Sequence, residues 1–519
     1  MKSVEFLSLL AGCWLCSGSG QAAPAAQKPN ILFIMVDEMR WDVMSCEGHP
    51  IVKTPNRDKL AREGTRFATA YTCSPVCVPS RYCVFTSRYA YVHGSLNNQT
   101  PPQAGELLLP AILKKYGYET ALSGKLHFLP GNRSYGFDYF WSDSSEGPRK
   151  LQSWPEFLAK KYGSKAQQLL DQPYPNDPLG RDIARLPYPK EDTQTYWTTD
   201  RAVDFLGQRD KANPFFLFVS YVAPHSPSHL AEPYWSMYDP KKMPTPTIPD
   251  AVKKERAEAL KAGAFVRHLV GDEEMARRLT ATYFAKVTMI DDNVGQLLRE
   301  VEKRGLMDNT IIVFTADHGN MLADRGRWFK GVMYEGSSRI PLLIKAPQTS
   351  ALAGTFNRGK VIKQVVENID IMPTLMEMSG LPLQGQAGFQ GRSLINLVGG
   401  EDPQWKDIAY SELDPKMIRT PQYKLIKNGE YKRFSGPGDY ELYDMIKDPK
   451  EENDLSADPA HAQALQELRR KLESWLQDRP APPAMQGVER TLPAKPLPLP
   501  RDVIQAEKRR PQDKVVPGK

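Results

Sequence analysis

Cysteine and histidine are scarce, with six and eight residues in a chain of 519. The cysteines do not meet a second Cys or His pair at a matching interval, which excludes the spacing of a structural zinc site. Beyond the N-terminal segment no apolar run approaches the roughly 20 residues that span a bilayer, so no transmembrane segment is expected. Blocks of like charge are also missing. The formal net charge of +7 comes from lysines and arginines interspersed with acids, which argues against nucleic acid as a partner and leaves a mildly basic surface suited to a polyanionic substrate. No internal repeat is visible. What is present is the composition of a soluble globular protein long enough for two packed units.

The N-terminus begins with Lys2, continues through the apolar stretch from Phe6 to Leu15 and becomes small and polar in SGSGQAAPAAQ. That is the pattern of a secretory signal. It predicts export, to the periplasm or beyond, with cleavage near Ala22 or Ala26, and residues 1–27 are read as the signal peptide. An alternative is that Leu10-Ala11-Gly12-Cys13 is a lipoprotein box that leaves the protein anchored at Cys13. Once the leader is removed, Cys46, Cys73, Cys77 and Cys83 remain, and four cysteines can pair in three ways.

The run Pro29-Asn30-Ile31-Leu32-Phe33-Ile34-Met35-Val36 is continuously apolar and bounded by Pro and Asp37, as in a strand buried on both faces of a sheet. Similar runs lie at Phe215–Ser220, Thr310–Thr315 and Ile340–Ile344, with helical patterns between them at Pro55–Glu63, Pro110–Tyr116, Thr198–Gly207, Glu274–Arg304 and Asp370–Ser379. This alternation predicts an α/β fold with a mostly parallel central sheet flanked by helices. Polar groups follow the strands: Asp37 the first, His225 the second, Asp317 and His318 the third. Ligands of open parallel sheets bind outside the carboxyl ends of the strands, so these residues are expected to converge on one site.

Past residue 400 the runs shorten to Met417–Thr420, Tyr423–Ile426 and Tyr440–Asp444, followed by a helix from Pro459 to Leu476. The expected organisation is a catalytic domain over 28–400, a smaller C-terminal antiparallel sheet plus helix over 401–478, and a Pro-rich tail over 479–519 that cannot bury a core.

One stretch concentrates unusual residues. CSPVCVPSRYCVFTSR, residues 73–88, holds three of the cysteines. A disulfide knot, a metal site, small core residues or a nucleophile would each account for them. Cys77-Val78-Pro79-Ser80-Arg81, with Thr86-Ser87-Arg88 downstream, resembles the C-x-P-S-R signature of the type I sulfatases of the alkaline phosphatase superfamily. The resemblance implies that a formylglycine-generating enzyme oxidises Cys77 to Cα-formylglycine, whose hydrate is the nucleophile. A geminal diol suits a sulfate ester because one hydroxyl attacks sulfur and the other later collapses to the aldehyde and expels sulfate. Pro79 suits a first helical turn, which would put Cys77 at a helix N-terminus whose free N–H groups favour an anion, with Arg81 one turn on. Ser87 departs from the family, which usually has Gly there.

The resemblance extends over residues 28 to 475. Val36-Asp37-Glu38 is similar to the family's first metal element, whose second acid is usually Asp, and Ala316-Asp317-His318-Gly319-Asn320 to its second. The implied metal set is Asp37, Glu38, Cys77, Asp317 and His318, and hard oxygen ligands suit Ca²⁺, or less well Mg²⁺. Gly124-Lys125-Leu126-His127 resembles a G-K-x-H element, implying that Lys125 stabilises sulfate and diol charge and that His127 is the base releasing sulfate. Pro224-His225-Ser226-Pro227 resembles P-H-x-P, whose histidine contacts sulfate, and Lys330 matches a distal lysine. Either His225 or Lys330 is the acid for the leaving oxygen. His93 is a candidate substrate contact or a helix-end cap, and His229, Arg325, Arg327 and Trp328 are candidate pocket lining. The implied activity is hydrolysis of a sulfate ester, in a sulfated carbohydrate. The alternatives are a phosphonate monoester or phosphodiester hydrolase with the same nucleophile, and a catalytically silent protein that binds sulfated glycans.

Overall fold

Asn30–Asp37 forms β1, the centre of a nine-stranded sheet in the computed structural model. The structure describes residues 27–478 except 104, 145–152, 167–182, 245–247, 249, 262–272, 384–387, 401 and 431–437. The signal peptide, the lipoprotein alternative at Cys13 and the Pro-rich tail therefore fall outside the described residues.

In chain order the further strands are β2 (Thr65–Tyr71), β3 (Glu119–Gly124), β4 (Tyr139–Ser142), β5 (Ile183–Arg185), β6 (Phe215–Pro224), β7 (Ser228–Leu230), β8 (Thr310–Ala316), β9 (Arg339–Ile340), β10 (Leu342–Lys345) and β11 (Lys360–Glu367). A second group follows: β12 (Ala409–Glu412), β13 (Lys416–Arg419), β14 (Tyr423–Lys427) and β15 (Tyr440–Asp444). The large sheet runs β11-β2-β10-β8-β1-β6-β3-β4, with β9 beside β2. Pairings β8–β1, β1–β6, β6–β3 and β3–β4 are all parallel. β10 is antiparallel to both β8 and β2, and β9 to β2, so the sheet is mixed.

The central strands are apolar throughout because both faces are covered. Every residue of β1 and β8 is buried, and each fully buried Ile, Leu, Val or Phe contributes roughly 1.5–3 kcal/mol. The helices that cover them stand where their periodicity predicts. Pro55–Glu63 has the expected bounds, and the long helix spans Glu273–Lys303. The two are joined by the wholly buried pair Arg57–Asp291, with Nε and Oδ1 2.9 Å apart. The run expected at Ile340–Ile344 is divided at Pro341, which cannot donate to a ladder, into β9 and β10.

The smaller sheet is antiparallel, in the order β12-β13-β14-β15. The helix Ala462–Gln477 buries Leu468 and Leu472 against Ile418, Leu425 and Leu442. Cys73 and Cys83 share a buried cluster with Tyr89, Ala90 and Ile369, and Cys46, Cys73, Cys77 and Cys83 are all free thiols. No helix among the described residues is long and apolar enough to cross a membrane.

Candidate active site

The parallel order β8-β1-β6-β3 aligns four strand ends, and each end carries a candidate residue. Asp37 closes β1, Asp317 and His318 follow β8, His225 follows β6 and Lys125 follows β3. The register between β1 and β6 slips at Val36/Asp37, and Glu38 adopts a left-handed φ of 64°, which turns the chain out of the sheet. Gly124, at φ 103°, makes the same turn at the end of β3, and Lys125 N then donates to Ser220 O at 2.9 Å.

Above these ends lies the helix Cys77–Thr86. Its ten residues are all buried, and Cys77 is the first of them. The helix has no side-chain cap at Val76. Val78 N donates to Asn98 Oδ1 at 3.0 Å and Pro79 has no N–H, so the first turn offers fewer free donors than the sequence pattern suggested. Ser80 Oγ donates to Asp317 O, which ties the helix to the end of β8. At the far end Ser87 sits at φ 55°, in the left-handed region that favours Gly. Its Oγ donates to Ile369 O at 2.8 Å and accepts from Gly391 N at 3.2 Å, offsetting the backbone strain.

The charged groups converge on Cys77. Its Sγ is 3.6 Å from Asp37 Oδ1 and 3.2 Å from His318 Nε2. Arg81 Nε donates to Asp317 Oδ2 at 2.8 Å, and Nη1 to Lys125 O and Ser220 Oγ, both at 2.9 Å. Arg81 Nη2 is buried without a hydrogen-bond partner among the described residues. Lys125 Nζ pairs with Asp37, and Lys330 Nζ with Glu38 Oε2 at 2.8 Å. Burial opposes ionisation of Asp37, but Lys125, His225, Lys330 and Arg81 outweigh it and hold the carboxyl well below its usual range. Burial and Asp37 push the Cys77 thiol up, yet Lys125, Lys330 and His318 prevail and hold it well below its ordinary value. His318 is disfavoured as a cation by burial, while Asp317 and Cys77 raise it to about 9.

Asp37, Cys77, Asp317 and His318 present ligand atoms that all lie within 4.8 Å of one another, and Asp37 with Glu38 and His225 forms a second such group. Burial and the neighbouring Asp37 carboxylate push Asp317 up, a repulsion that a divalent cation between them would relieve, so the donor set fits a metal ion. Of the five residues expected as ligands, Glu38 stands apart. One of its oxygens accepts from Asn320 Nδ2 at 2.6 Å, and the other meets Lys330 and lies 3.3 Å from His225 Nε2.

Other sequence candidates are placed differently. His127 has φ 56°, and its Nδ1 is buried with no hydrogen-bond partner among the described residues. His93 is wholly buried behind the helix, with Nε2 3.4 Å from Cys83 Sγ and Nδ1 accepting from Ser95 N at 3.2 Å. These contacts match the helix-end reading rather than a substrate contact. Burial, with Arg88 nearby, lowers its pKa to about 3. Arg325 lies 4.4 Å over the Tyr334 ring and bonds Glu451 O, and Trp328 packs in a separate apolar cluster with Ile183, Ile248 and Val252. His229 lies on β7, and Arg327 follows the turn at Asp324–Gly326.

Residues given no role of their own from the sequence also touch the site. Ser220, Asn98 and Asn320 contact it as described, and Lys286 reaches it from the long helix, where its Nζ donates to His225 O at 2.7 Å and to Pro227 O. A lone lysine in an amphipathic helix carries no sequence signal, since only the tertiary fold shows that it is buried. Removing its ammonium leaves two carbonyls without that donor, so Lys286→Met is expected to cost about 1–3 kcal/mol. A thermal melt beside the parent protein measures this, and an unchanged midpoint would refute it.

Comparison with known proteins adds to this geometry. Residues 29–381 match the family model described as Sulfatase, and residues 324–478 match that for the C-terminal part of N-sulphoglucosamine sulphohydrolase. The chain is 31% identical over 474 residues to an arylsulfatase of Clostridium perfringens, covering 87% of this chain and 95% of the relative. Its fold matches the phosphonate monoester hydrolase of Agrobacterium radiobacter with a TM-score of 0.71 at 25% identity, over 87% of this chain and 96% of that one. A TM-score of 0.66 at 25% identity relates it to a protein solved with its substrate D-glucosamine-2-N,6-O-disulfate, over 87% of this chain and 98% of that one.

Proposed function

The chain belongs to the sulfatase family, and from that premise we propose that it cleaves a sulfate ester of a carbohydrate through a formylglycine made from Cys77. Sulfuric ester hydrolysis follows from the family, which sets aside the silent glycan-binding alternative. The observation that carries the finer reading is Cys77 itself, first in a buried helix and surrounded by Asp37, Arg81, Lys125, His318 and Lys330.

One hydroxyl of the hydrated aldehyde forms a bond to sulfur, its proton passing to water, as the bond from sulfur to the ester oxygen breaks. The leaving oxygen takes a proton from Lys330. His225 is the alternative donor, with Nδ1 2.6 Å from Ser226 O and Nε2 3.3 Å from Glu38 Oε2. The second hydroxyl then gives its proton to His127, the carbonyl re-forms, the bond from carbon to the sulfate oxygen breaks, and water rehydrates the aldehyde. Arg81 and Lys125 balance the negative charge, and Arg81 Nη2, 3.9 Å from Asp37 Oδ2 and without a hydrogen-bond partner among the described residues, is a donor for it. Asp37, Asp317, His318 and the side chain at 77 would hold the cation, with Glu38 in the alternative group; the family favours Ca²⁺ over Mg²⁺. When bound, it supplies Lewis-acid polarisation of a sulfate oxygen.

A sulfated sugar is supported by the substrate bound in the structural relative, and export by the N-terminal pattern; a formylglycine-generating enzyme is the partner required for maturation. A second reading, a phosphonate monoester or phosphodiester hydrolase with the same nucleophile, is favoured by the fold match to the Agrobacterium enzyme. Comparing kcat/KM for para-nitrophenyl sulfate and para-nitrophenyl phenylphosphonate separates the two. The sulfate is expected to lead by about tenfold or more, with activity lost after EDTA and restored better by Ca²⁺ than by Mg²⁺. Preference for the phosphonate would put the second reading first.

A further inference from the structure

Lys330 reaches the site from a loop that is held on its other side by the small C-terminal sheet. At the site end, Lys330 Nζ meets Glu38 Oε2 at 2.8 Å, and Gly331 N donates to Pro75 O at 3.1 Å, just ahead of the Cys77 helix. Three residues beyond Lys330, Met333 O accepts from Lys424 Nζ at 3.1 Å. Lys424 lies on β14 and is wholly buried. The same ammonium lies 2.6 Å from Glu335 Oε1 and 2.7 Å from Glu451 Oε1. Glu451 Oε2 in turn accepts from Glu335 N at 2.8 Å, so Lys424 of the C-terminal sheet and Glu451 from the segment after β15 hold the backbone at 333 and 335.

Neighbouring groups close this knot. Tyr71 OH donates to Glu335 Oε1 at 2.6 Å and accepts from Arg419 Nε at 2.9 Å, while Arg339 Nη1 lies 3.0 Å from Glu335 Oε2. Tyr334 OH donates to Glu441 Oε2 at 2.9 Å. A buried ionic cluster of this kind is weak evidence for net stability, because desolvation consumes much of the attraction. What it does supply is a set of contacts that ties the backbone at 333 and 335 to β14 and to the turn after β15.

We propose that Lys424 is a positioning residue for Lys330: by holding Met333 O and the Glu335–Glu451 pair, it fixes the loop that places the Lys330 ammonium. This rests on the reading that Lys330 protonates the leaving oxygen. The C-terminal sheet is then part of the apparatus that handles the leaving group, although Lys424 touches neither substrate nor nucleophile.

The test uses the ratio of kcat/KM for para-nitrophenyl sulfate to that for phenyl sulfate. The poorer leaving group needs the proton more, and the ratio is independent of how much of each preparation is folded. Lys330→Ala is expected to raise the ratio by about tenfold or more. Lys424→Met should raise it in the same direction. The double variant Lys424→Met/Glu451→Gln, which removes a stranded charge and keeps the protein testable if the single one folds poorly, should do likewise. A ratio unchanged in Lys330→Ala overturns the leaving-oxygen role of Lys330, and this proposal with it. A ratio raised in Lys330→Ala but unchanged in the Lys424 variants overturns the positioning role alone.

Discussion

Cys77→Ala is expected to lower kcat/KM on para-nitrophenyl sulfate by at least ~10⁴-fold, in the range seen when a nucleophile is removed from an intact site. The fold should hardly notice. The thiol's polar contacts are the weak ones at 3.6 Å and 3.2 Å, and losing one buried sulfur costs about 1 kcal/mol. The expected pattern is therefore an enzyme that melts near the parent temperature and turns over almost nothing. A companion measurement uses the tryptic peptide from Phe67 to Arg81, which holds Cys73 as well as Cys77. After alkylation the active enzyme should carry one alkyl group there, on Cys73, because residue 77 has become an aldehyde. Two alkyl groups in fully active enzyme would end the formylglycine reading.

Gly124→Ala should be the most damaging substitution of a residue that has no side chain to contribute. A Cβ at this position would lie 2.0 Å from Ser220 O, and the backbone stands at φ 103°. Strand β3 must then move away from β6, carrying Lys125, whose carbonyl Arg81 also holds. Strain and overpacking together cost roughly 2–4 kcal/mol, and a displacement of about 1 Å in positioned charges lowers kcat/KM by about 10²-fold. Gly117→Ala is the control: its φ is 87°, but nothing lies within 4 Å of the added carbon. It should lose about 1 kcal/mol and keep its kinetics. If the two variants behave alike in melting and in kcat/KM, the close approach of β3 to β6 is not what places Lys125.

The parts of the fold legible in the sequence were those where one physical demand dominates. β1, β6 and β8 are buried on both faces, so they read as unbroken apolar runs, and the polar residues just past them mark the carboxyl edge. β2, β3, β4 and β11 were not legible. β11 lies at the sheet edge, its first five residues, Lys360, Lys363 and Gln364 among them, half-buried or exposed and only its last three buried, and β3 is interrupted by Thr120 and Ser123, each of which finds a partner elsewhere in the fold. In the site, Asp37, Cys77, Arg81, Lys125, His225, Asp317, His318 and Lys330 were named together because their order along the chain is a joint pattern, and the structure brings them together. Lys286, Asn320, Asn98 and Lys424 act through backbone atoms or other side chains, and such pairings have no period in sequence. His93, which sequence leaves between a substrate contact and a helix-end cap, is buried behind the helix and accepts from Ser95 N.

The complete burial of the helix Cys77–Thr86 sets an order of events in the life of the chain. With Cys77 only 1% exposed, the conversion proposed for it needs a chain in which β1, β8 and the helix have not yet come together. On that proposal a chain that folds first keeps its thiol, folding speed and maturation yield are opposed, and slower-folding variants are expected to carry a larger share of converted Cys77.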